Sequence, residues 1–508
     1  MPEQPPTARP ARPARLPEPR SALLVALSAV ALVVLGLAWS LASPAGSSPD
    51  DDFHLASIWC ATGDASFCRR TGEHIEEGVE RVEVLPELGA GLICFAHAPR
   101  MSAACQTAAR QSDAAGVSRA NDGLYPDGFY RLMSVFATTN VDRSVVVMRM
   151  ASWVVALSLL LAAGLVARRA ARPALALAAL TTLVPLGVYL FASTNPSGIA
   201  IAGIGAYWVA AMTVLEGGGS TVRRATVVAV LLVSAALALV SRSDAGLYLA
   251  VASLAAWLSG GGYRPPFART TLLVGGVAVV GIVTTVLGRQ NERWAGGLDV
   301  QEGQTRTALL FEGVLDLPRR VLGSIGLDAL GWLDTPMPAL VGTLMLLAFG
   351  GALVIGLGAA TREKWLGLVV VAGTLVGLPL LVLSSGQNVQ PRYVLPLLPI
   401  LMGTALIARP VDPPIRVGRV HALLILLAIV IAHGAALHRN IRRYVTGVDV
   451  GGPDLGASVE WWWSRGPGPM ATWLLGTVAF AVVGACVYRL LEPRDGNPAV
   501  GTASDRLR

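Results

Sequence analysis

The chain of 508 residues is 53% hydrophobic and only 14% charged, with a mean hydropathy of +0.58. This composition excludes an ordinary soluble globular protein, in which roughly a quarter of the residues are charged. The net charge of +7 does not indicate nucleic-acid binding, because the arginines lie mostly in short loops between apolar segments, where they act as topology signals. The composition therefore predicts an all-α integral membrane protein.

A Pro- and Arg-rich stretch, residues 1–21, opens the chain with almost nothing to bury. It is predicted to be a disordered tail, which its arginines hold in the cytoplasm. The apolar run that follows, residues 23–42, contains no charge and is long for the apolar region of a signal peptide. We interpret it as the first transmembrane helix, with a cleaved signal peptide as the alternative.

Further apolar segments have about the 20 residues that a bilayer requires. About twelve transmembrane helices are predicted in all, at 22–42, 145–166, 174–192, 198–215, 225–241, 246–260, 270–288, 339–360, 365–384, 393–408, 419–437 and 470–490. Arginines and lysines occupy alternate loops, so both termini, including a tail at 491–508, are predicted cytoplasmic. The membrane domain then covers 22–490 of a multi-pass protein of the plasma (inner) membrane. The segment 246–260 is short for a full span and is compatible with a re-entrant helix.

This topology places three long segments outside, 43–144, 289–338 and 438–469, of which the first is a large extracytoplasmic loop. Four of the five cysteines lie in that loop: Cys60, Cys68, Cys94 and Cys105. An even number of cysteines outside the membrane predicts two disulfides, with three possible pairings. Buried free thiols are the alternative, and zinc binding is disfavoured because the spacings lack a short C-x₂₋₄-C pair.

The sequence SPDDDFH, residues 48–54, follows the first helix directly and places three carboxylates and an imidazole beside the membrane. Charged groups there are costly and therefore indicate function. Asp50 and Asp51 are candidate catalytic bases, and His54 is a candidate for orienting a carboxylate or sharing a divalent cation with it. The alternative is that the aspartates merely solvate the loop and end the helix.

Three stretches are predicted to share the side of SPDDDFH: TNPSG at 194–198, GWLDTPMP at 331–338 and QNVQPRYVLPLLP at 387–399. Arg392 and Tyr393 open a helix in the last of them. A planar guanidinium at such an entrance suits bidentate binding of a lipid phosphate, with a snorkelling anchor as the alternative. YPDGFYR, at 125–131, offers Asp127 as a second carboxylate or as part of a turn. Arg242 and Asp244 are predicted to form a structural ion pair.

PDDDFH resembles a Pro-Asp-Glu-x-x-His motif, TNPSG an Asn-Pro-Asp-Gly motif, GWLDTPMP a Gly-Trp-Leu-Asp-Thr-x-x-Pro motif and QPRYVLP a Gln-Gly-Arg-Tyr-x-x-Pro motif. In this order the four resemble those of a bacterial family of polytopic membrane proteins of unknown function. The resemblance covers roughly residues 49–399. Two departures stand out, because Ser197 replaces the family's acid and Pro391 replaces its glycine.

That family is similar in layout to the GT-C glycosyltransferases, which use polyprenyl-phosphate sugar donors on the extracytoplasmic face. The resemblance implies a catalytic base at Asp50 or Asp51, with Asn195 and Asp334 as supporting residues. It thus implies a GT-C-like transferase that moves a sugar, with inversion, to a cell-envelope glycan or lipid acceptor.

Two alternatives remain: a transporter or flippase of lipid-linked sugars, and a non-catalytic partner in envelope assembly. A transporter is expected to carry ionisable residues near the bilayer midplane, whereas most of those discussed above lie at helix ends. The expected partners are the donor, the acceptor and membrane lipids, without nucleic acid. No cofactor is required by the sequence, although Asp50, Asp51 and His54 leave a divalent cation open.

Overall fold

The computed structural model of the chain describes residues 19–107, 111, 114–260, 269–290, 305–358, 361–384, 389–407 and 417–491. Helices dominate this part of the chain. The predicted tails, 1–21 and 491–508, lie almost entirely outside the described residues, as do Gln387 and Asn388 of the fourth motif.

The first region combines short helices with a small sheet that the all-α prediction did not foresee. Its elements are, in chain order, α1 (Pro19–Leu41), α2 (Asp51–Cys60), β1 (Cys68–Glu76), β2 (Val79–Val84), β3 (Gly116–Asn121) and α3 (Gly128–Ser134). The strands form an antiparallel sheet in the order β1-β2-β3. Val79 and Val82 of β2 are fully buried and pack with Phe53 and Trp59 of α2 in a second core, to which the start of the helix Val141–Val166 also contributes. We call the end of the molecule that carries this region the large-loop end.

Long apolar helices form the rest of the described chain. The first half contains α4 (Val141–Val166), α5 (Arg172–Thr182), α6 (Pro185–Phe191), α7 (Ser197–Glu216), α8 (Thr221–Ser241), α9 (Ala245–Ser259) and α10 (Arg269–Leu287). The second half contains α11 (Arg306–Leu322), β4 (Ala329–Leu330), β5 (Thr335–Pro336), α12 (Ala339–Leu357), α13 (Arg362–Ser384), α14 (Pro391–Val394), α15 (Leu397–Leu406), α16 (Arg419–Val445) and α17 (Pro469–Leu491).

Within the described residues, nine helices are long and apolar enough to cross a membrane. The bent pair α5 and α6 makes ten if it is one span. The two remaining predicted segments correspond to the shorter α9 and to α14 with α15. Each of the twelve predicted segments therefore coincides with helical structure, but a count of about twelve spans is not confirmed.

The break between α5 and α6 bends the chain by 92°. Pro185 is the first residue of α6 and cannot donate a backbone hydrogen bond to a preceding turn, so α5 ends before it. The predicted segment 174–192 is consequently two helices, with the second leading directly to the TNPSG motif.

The centre of the bundle is α7, most of whose residues are buried. Small residues allow this close packing: a Cβ at Gly203 would lie 2.8 Å from the carbonyl oxygen of Ser234 in α8. Helices in membranes associate through such close backbone approaches. Because α7 is fixed on several sides, its first residues provide a rigid support at the large-loop end.

Two disulfides connect Cys60 with Cys68 and Cys94 with Cys105. This is one of the three pairings that the sequence left open. The second disulfide closes a loop whose backbone carbonyls at Phe95 and Ala98 accept hydrogen bonds from Arg443 of α16. It therefore holds a contact between the first region and a helix near the end of the chain.

We expect the Cys94→Ser, Cys105→Ser double variant to lose about 3 kcal/mol of stability, because the closed loop restricts the unfolded chain. The measurement is the thermal midpoint of the purified protein in detergent. Cys486→Ser is the matched control, since Cys486 is not in a disulfide. Equal midpoints for the double variant and the native protein would show that the 94–105 loop does not depend on its disulfide.

Candidate functional site

Asp50 lies in the turn that begins α2, with φ of 60° in the left-handed region. Asp tolerates this conformation better than most residues, because its short polar side chain forms local hydrogen bonds. Its carboxylate accepts a hydrogen bond of 2.9 Å from Nη2 of Arg392 and lies 3.7 Å from Nη2 of Arg119. The Asp50 side chain remains 36% exposed. Asp50 is therefore a carboxylate between two guanidinium groups that solvent still reaches.

The Asp50 carboxyl is strongly acidic. Burial alone would raise its pKa, but the charge of Arg392, with a further contribution from Arg119, lowers the pKa to about 2. The charge and the hydrogen bond from Arg392 both favour the ionised form. Asp50 is thus a carboxylate at neutral pH.

Asp51 points into the protein and is completely buried. Its Oδ1 accepts a hydrogen bond of 2.7 Å from the Thr194 hydroxyl, and its Oδ2 accepts one of 3.0 Å from the Ser48 backbone N–H. Burial raises the pKa of Asp51 to about 6, although Arg149 and these hydrogen bonds act in the opposite direction. The two candidate bases are therefore different: Asp50 faces the solvent, and Asp51 fastens the turn to the TNPSG motif.

Asp51→Asn is expected to change how stability depends on pH. The pKa of Asp51 is about 6 in the folded protein against 3.8 ordinarily, so the fold favours the neutral carboxyl. The resulting stabilisation is complete below the ordinary value and is lost as pH rises to about 6, a difference of about 3 kcal/mol. The native thermal midpoint should therefore rise relative to that of the variant as pH is lowered from 8 to 4.5.

Thr194→Val tests the same pKa independently, because it removes a hydrogen bond to the ionised Asp51. The Asp51 pKa should then rise further, and the loss of stability with rising pH should extend to a higher pH than in the native protein. Parallel midpoints for the native protein and Asp51→Asn across this pH range would contradict the assignment.

Arg119 of β3 links the small sheet to the acidic turn. Its Nε and Nη2 donate hydrogen bonds of 2.7 and 3.2 Å to the Asp52 carboxylate. The Ser118 hydroxyl donates to the Asp52 backbone carbonyl. Asp52 is thus engaged in a bidentate pair that fixes Arg119 beside Asp50.

His54 is buried among aromatic rings rather than hydrogen-bonded to an aspartate. Its Nδ1 lies 3.0 Å from the Tyr130 hydroxyl, and its ring contacts Phe53 and Tyr125. Burial lowers the pKa of His54 to about 3, so the imidazole is neutral at physiological pH. Its position indicates a structural role for His54, which packs the start of α2 against neighbouring aromatic rings.

Arg392 and Tyr393 open α14 on the other side of Asp50. The Arg392 side chain is only 7% exposed, and its Cζ lies 5.4 Å from the centre of the Tyr393 ring. Its Nε and Nη1 are buried without a hydrogen-bond partner in the described part of the chain. A cavity of about 20 Å³ adjoins Arg392, which is enough for about one water molecule. Arg392 therefore has two N–H donor groups beside Asp50 that make no hydrogen bond within the described residues.

A second guanidinium, Arg242, also lies near Tyr393, with its Cζ 5.9 Å from the centre of the ring. It donates hydrogen bonds of 2.8 and 2.6 Å to both carboxylate oxygens of Asp244, as the predicted structural pair requires. It also donates to the hydroxyl of Ser197, the residue that replaces the family's acid. Asp244 thus supplies the carboxylate that Arg242 contacts.

The residues that lead to Asp50, 40–49, form what we call the connector. Arg149 of α4 donates hydrogen bonds of 2.6 to 3.0 Å to four connector groups, the carbonyls of Ser40, Ser43 and Pro44 and the Ser47 hydroxyl. Other side chains donate to further connector carbonyls: Gln106, Tyr189, Asn195, Trp332, Asn440, Tyr444 and Trp463. The connector is therefore fixed from many parts of the chain.

The four sequence motifs meet at this connector and turn. Asn195 of TNPSG donates to the Pro49 carbonyl at 2.9 Å and accepts from the Ser197 backbone N–H. Trp332 of GWLDTPMP donates to the Gly46 carbonyl at 2.9 Å. Since Arg392 belongs to the fourth motif and Asp50 to the first, motifs that are far apart in sequence form one site.

Asp334 and Asp127 have other contacts. Asp334 is buried and accepts a hydrogen bond of 2.8 Å from Arg443. Asp127 is largely exposed and pairs with Asn121 and Arg131. These contacts indicate that Asp334 joins α16 to the third motif and that Asp127 forms part of a turn.

The described residues contain no group of three or more His, Cys, Asp and Glu side chains arranged to hold a metal ion. At the acidic turn, both Asp51 oxygens accept protein hydrogen bonds and His54 Nδ1 contacts Tyr130. Within the described part of the chain, Asp50, Asp51 and His54 are thus engaged with protein groups and are not arranged as a three-residue cation site.

Sequence reasoning missed Arg119, Arg149 and Tyr130. Arg149 had a readable signal, because it is a lone charge within the apolar segment 145–166, and such residues are rarely without a role. Arg119 had none, since nothing in the sequence connects β3 with a turn 67 positions earlier.

These features define a helical integral membrane protein with a polar site at one end of its bundle. The chain belongs to the family of predicted membrane proteins designated DUF2142, whose model matches residues 33–401. The structure is similar to the crystal structure of ArnT from Cupriavidus metallidurans in the apo state, with a TM-score of 0.44 and 13% identity over 93% of this chain and 78% of that one. No curated protein gives a significant match.

Proposed function

We propose that this protein is an extracytoplasmic GT-C-like glycosyltransferase that moves a sugar from a polyprenyl-phosphate donor to a cell-envelope glycan or lipid acceptor. The observation that carries the proposal is the pairing of a half-exposed carboxylate, Asp50, with a buried guanidinium, Arg392, at 2.9 Å. A transferase of this kind needs one base for the acceptor hydroxyl and one cation for the phosphate. The two residues provide both groups.

In the proposed reaction the acceptor oxygen attacks the anomeric carbon as Asp50 accepts its proton. The bond between that carbon and the phosphate oxygen breaks, and the electron pair leaves with the phosphate, whose charge Arg392 stabilises. Attack from the face opposite the leaving group inverts the anomeric centre. We assign the base to Asp50 rather than Asp51, because Asp51 is buried with both oxygens occupied.

The neighbouring residues are positioning residues in this proposal. Asp51 and Asn195 hold the turn, and Tyr393 lies against the Arg392 guanidinium.

A small apolar cavity of about 100 Å³, with room for a short stretch of hydrocarbon, supports a donor that carries a lipid tail. Leu395, Pro399 and Gly403 line it and follow Arg392 along the same helical segment, while Ile201 of α7 borders both this cavity and the smaller one at Arg392. Apolar lining next to a cation suits a molecule with a phosphate head and a hydrocarbon tail.

The proposed location is the plasma membrane, with both termini in the cytoplasm and the site on the extracytoplasmic face. The arginine distribution between the apolar segments supports this orientation. The two disulfides lie at the large-loop end and are typical of an oxidising compartment.

The experiment compares the envelope glycans and lipid-linked sugars of a deletion strain with those of the strain carrying the native gene. A transferase predicts that one envelope sugar disappears while its lipid-linked donor accumulates on the extracytoplasmic face. Accumulation on the cytoplasmic face would instead indicate a flippase. A third outcome would indicate an assembly partner: the envelope sugar is lost, the pool of lipid-linked donor is unchanged, and a gene encoding Asp50→Asn restores the sugar.

A further inference from the structure

The proposed base, Asp50, and the proposed phosphate-binding cation, Arg392, are hydrogen-bonded to each other. Asp50 accepts a hydrogen bond from Nη2 of Arg392, while Nε and Nη1 of Arg392 have no partner among the described residues. The neighbouring Arg242 differs, because Asp244 contacts it through both carboxylate oxygens. Arg392 therefore has the proposed base as its hydrogen-bonded carboxylate partner, whereas Arg242 is paired with Asp244 and Arg119 with Asp52.

The hydrogen bond between Asp50 and Arg392 weakens both proposed functions, proton acceptance by Asp50 and phosphate binding by Arg392. A carboxylate that accepts a hydrogen bond from a guanidinium is a weaker base, and a guanidinium neutralised by a carboxylate binds an anion less well. A phosphate group that binds the planar guanidinium bidentately uses Nη2 together with Nε or Nη1, so it needs the nitrogen that now donates to Asp50. Asp50 and a phosphate thus compete for the same side chain.

We propose that the phosphate group of an incoming lipid displaces Asp50 from Arg392, so that ligand binding itself releases the base. This inference rests on the proposed function and identifies a phosphate-bearing lipid as the activating ligand. Contact with the acceptor is then productive only when the donor is in place.

The geometry provides a route for the exchange. Arg392 is almost completely buried against Tyr393 and has little freedom to move, whereas Asp50 is half-exposed. Arg119 lies 3.7 Å from Asp50 and can receive the displaced carboxylate. Arg119 is itself held by its bidentate pair with Asp52. Rotation of the Asp50 side chain from Arg392 towards Arg119 is therefore sufficient for the exchange.

The test measures binding of farnesyl phosphate to the purified protein in detergent micelles by isothermal titration calorimetry. Asp50→Asn keeps the size of the side chain and tolerates the left-handed backbone, but it removes the competing charge. We expect this variant to bind farnesyl phosphate about tenfold more tightly, since the ligand no longer breaks a charged hydrogen bond. Arg392→Gln should bind at least about tenfold more weakly.

Asp52→Asn is the matched control, because it removes an equal charge two residues away, at a carboxylate that contacts Arg119 and not Arg392. Its affinity should change far less than that of Asp50→Asn, since the Asp52 carboxylate contacts Arg119 and leaves the bond between Asp50 and Arg392 in place. Equal tightening in Asp50→Asn and Asp52→Asn would overturn the exchange in favour of a general electrostatic effect, and unchanged affinity in Asp50→Asn would overturn it directly. Arg392→Gln shows in each case whether the phosphate binds at this site.

Titrations with farnesol and with inorganic phosphate distinguish a lipid ligand from a free phosphate. If Asp50→Asn binds only farnesyl phosphate more tightly than the native protein does, the ligand is a lipid. An equal gain in affinity for inorganic phosphate would overturn the lipid assignment. Binding is measured without a sugar, so the outcome is independent of transfer. Tighter binding by Asp50→Asn in a protein without transferase activity would refute the proposed function and leave the exchange standing.

Discussion

Asp50→Asn is expected to lower the rate of sugar transfer by at least about 100-fold, because a positioned general base typically contributes 10²–10⁴-fold. The substitution removes the proton acceptor while keeping the side-chain shape and a residue that accepts the φ of 60°. The protein should therefore remain folded. The measurement is the initial rate of sugar incorporation when purified protein is added to membranes of the deletion strain, which contain the accumulated donor.

Asp52→Asn provides the comparison at the same turn and should keep most of the activity, since the Asp52 carboxylate contacts Arg119 and not Arg392. Asp51→Asn is expected to fall between the two, because it loosens the turn without removing the base. Native rates in Asp50→Asn at matched protein level would refute the catalytic assignment. Equal losses in all three variants would show that the turn needs its total charge rather than one base.

The positions of the helices were predictable because apolar length is a strong signal. Where helices stop was harder to read, since the run at 174–192 is apolar throughout and only Pro185 marks the 92° bend. The sheet was missed for a different reason. Strand β1 is charged and almost wholly exposed, so it lacks the alternation that identifies a half-buried strand.

The candidate site was predictable in part. Charged groups at predicted helix ends singled out both Asp50 and Arg392, which the structure places 2.9 Å apart across 342 positions of sequence. Sequence alone did not separate Asp50 from Asp51, because the distinction depends on the backbone of the turn. The left-handed conformation at Asp50 points adjacent carboxylates in different directions, one towards solvent and one towards Thr194.

The connector explains why motifs that contribute no carboxylate to the site are nevertheless part of the site. Trp332, Tyr189 and Asn195 come from separate parts of the chain, yet each donates to a backbone carbonyl of residues 46–49. Irregular backbone at the membrane surface requires such partners, because unpaired buried carbonyls are costly. The result is a rigid support that fixes Asp50 relative to Arg392, as a preorganised site requires.

Arg149→Met is expected to prevent the formation of a stable protein. Arg149 is completely buried and donates to three carbonyls and one hydroxyl of the connector. Each buried acceptor left unpaired costs about 1–3 kcal/mol, so the total is a large part of the roughly 5–15 kcal/mol that stabilises a typical protein. The buried Asp51 also loses the positive charge that favours its ionised form. The measurement is the yield of monodisperse protein on size-exclusion chromatography, together with its thermal midpoint.

Arg143→Met is the matched control, because Arg143 lies in the first turns of the same helix but is exposed to solvent. Its yield and midpoint should equal those of the native protein. Arg149→Lys should give an intermediate result, since an ammonium keeps the charge but cannot reach four acceptors in the planar geometry of a guanidinium. A native midpoint in Arg149→Met would mean that the connector is held by its other donors. In that case Arg149, a charge within a membrane helix, would have to be retained for its proximity to Asp51.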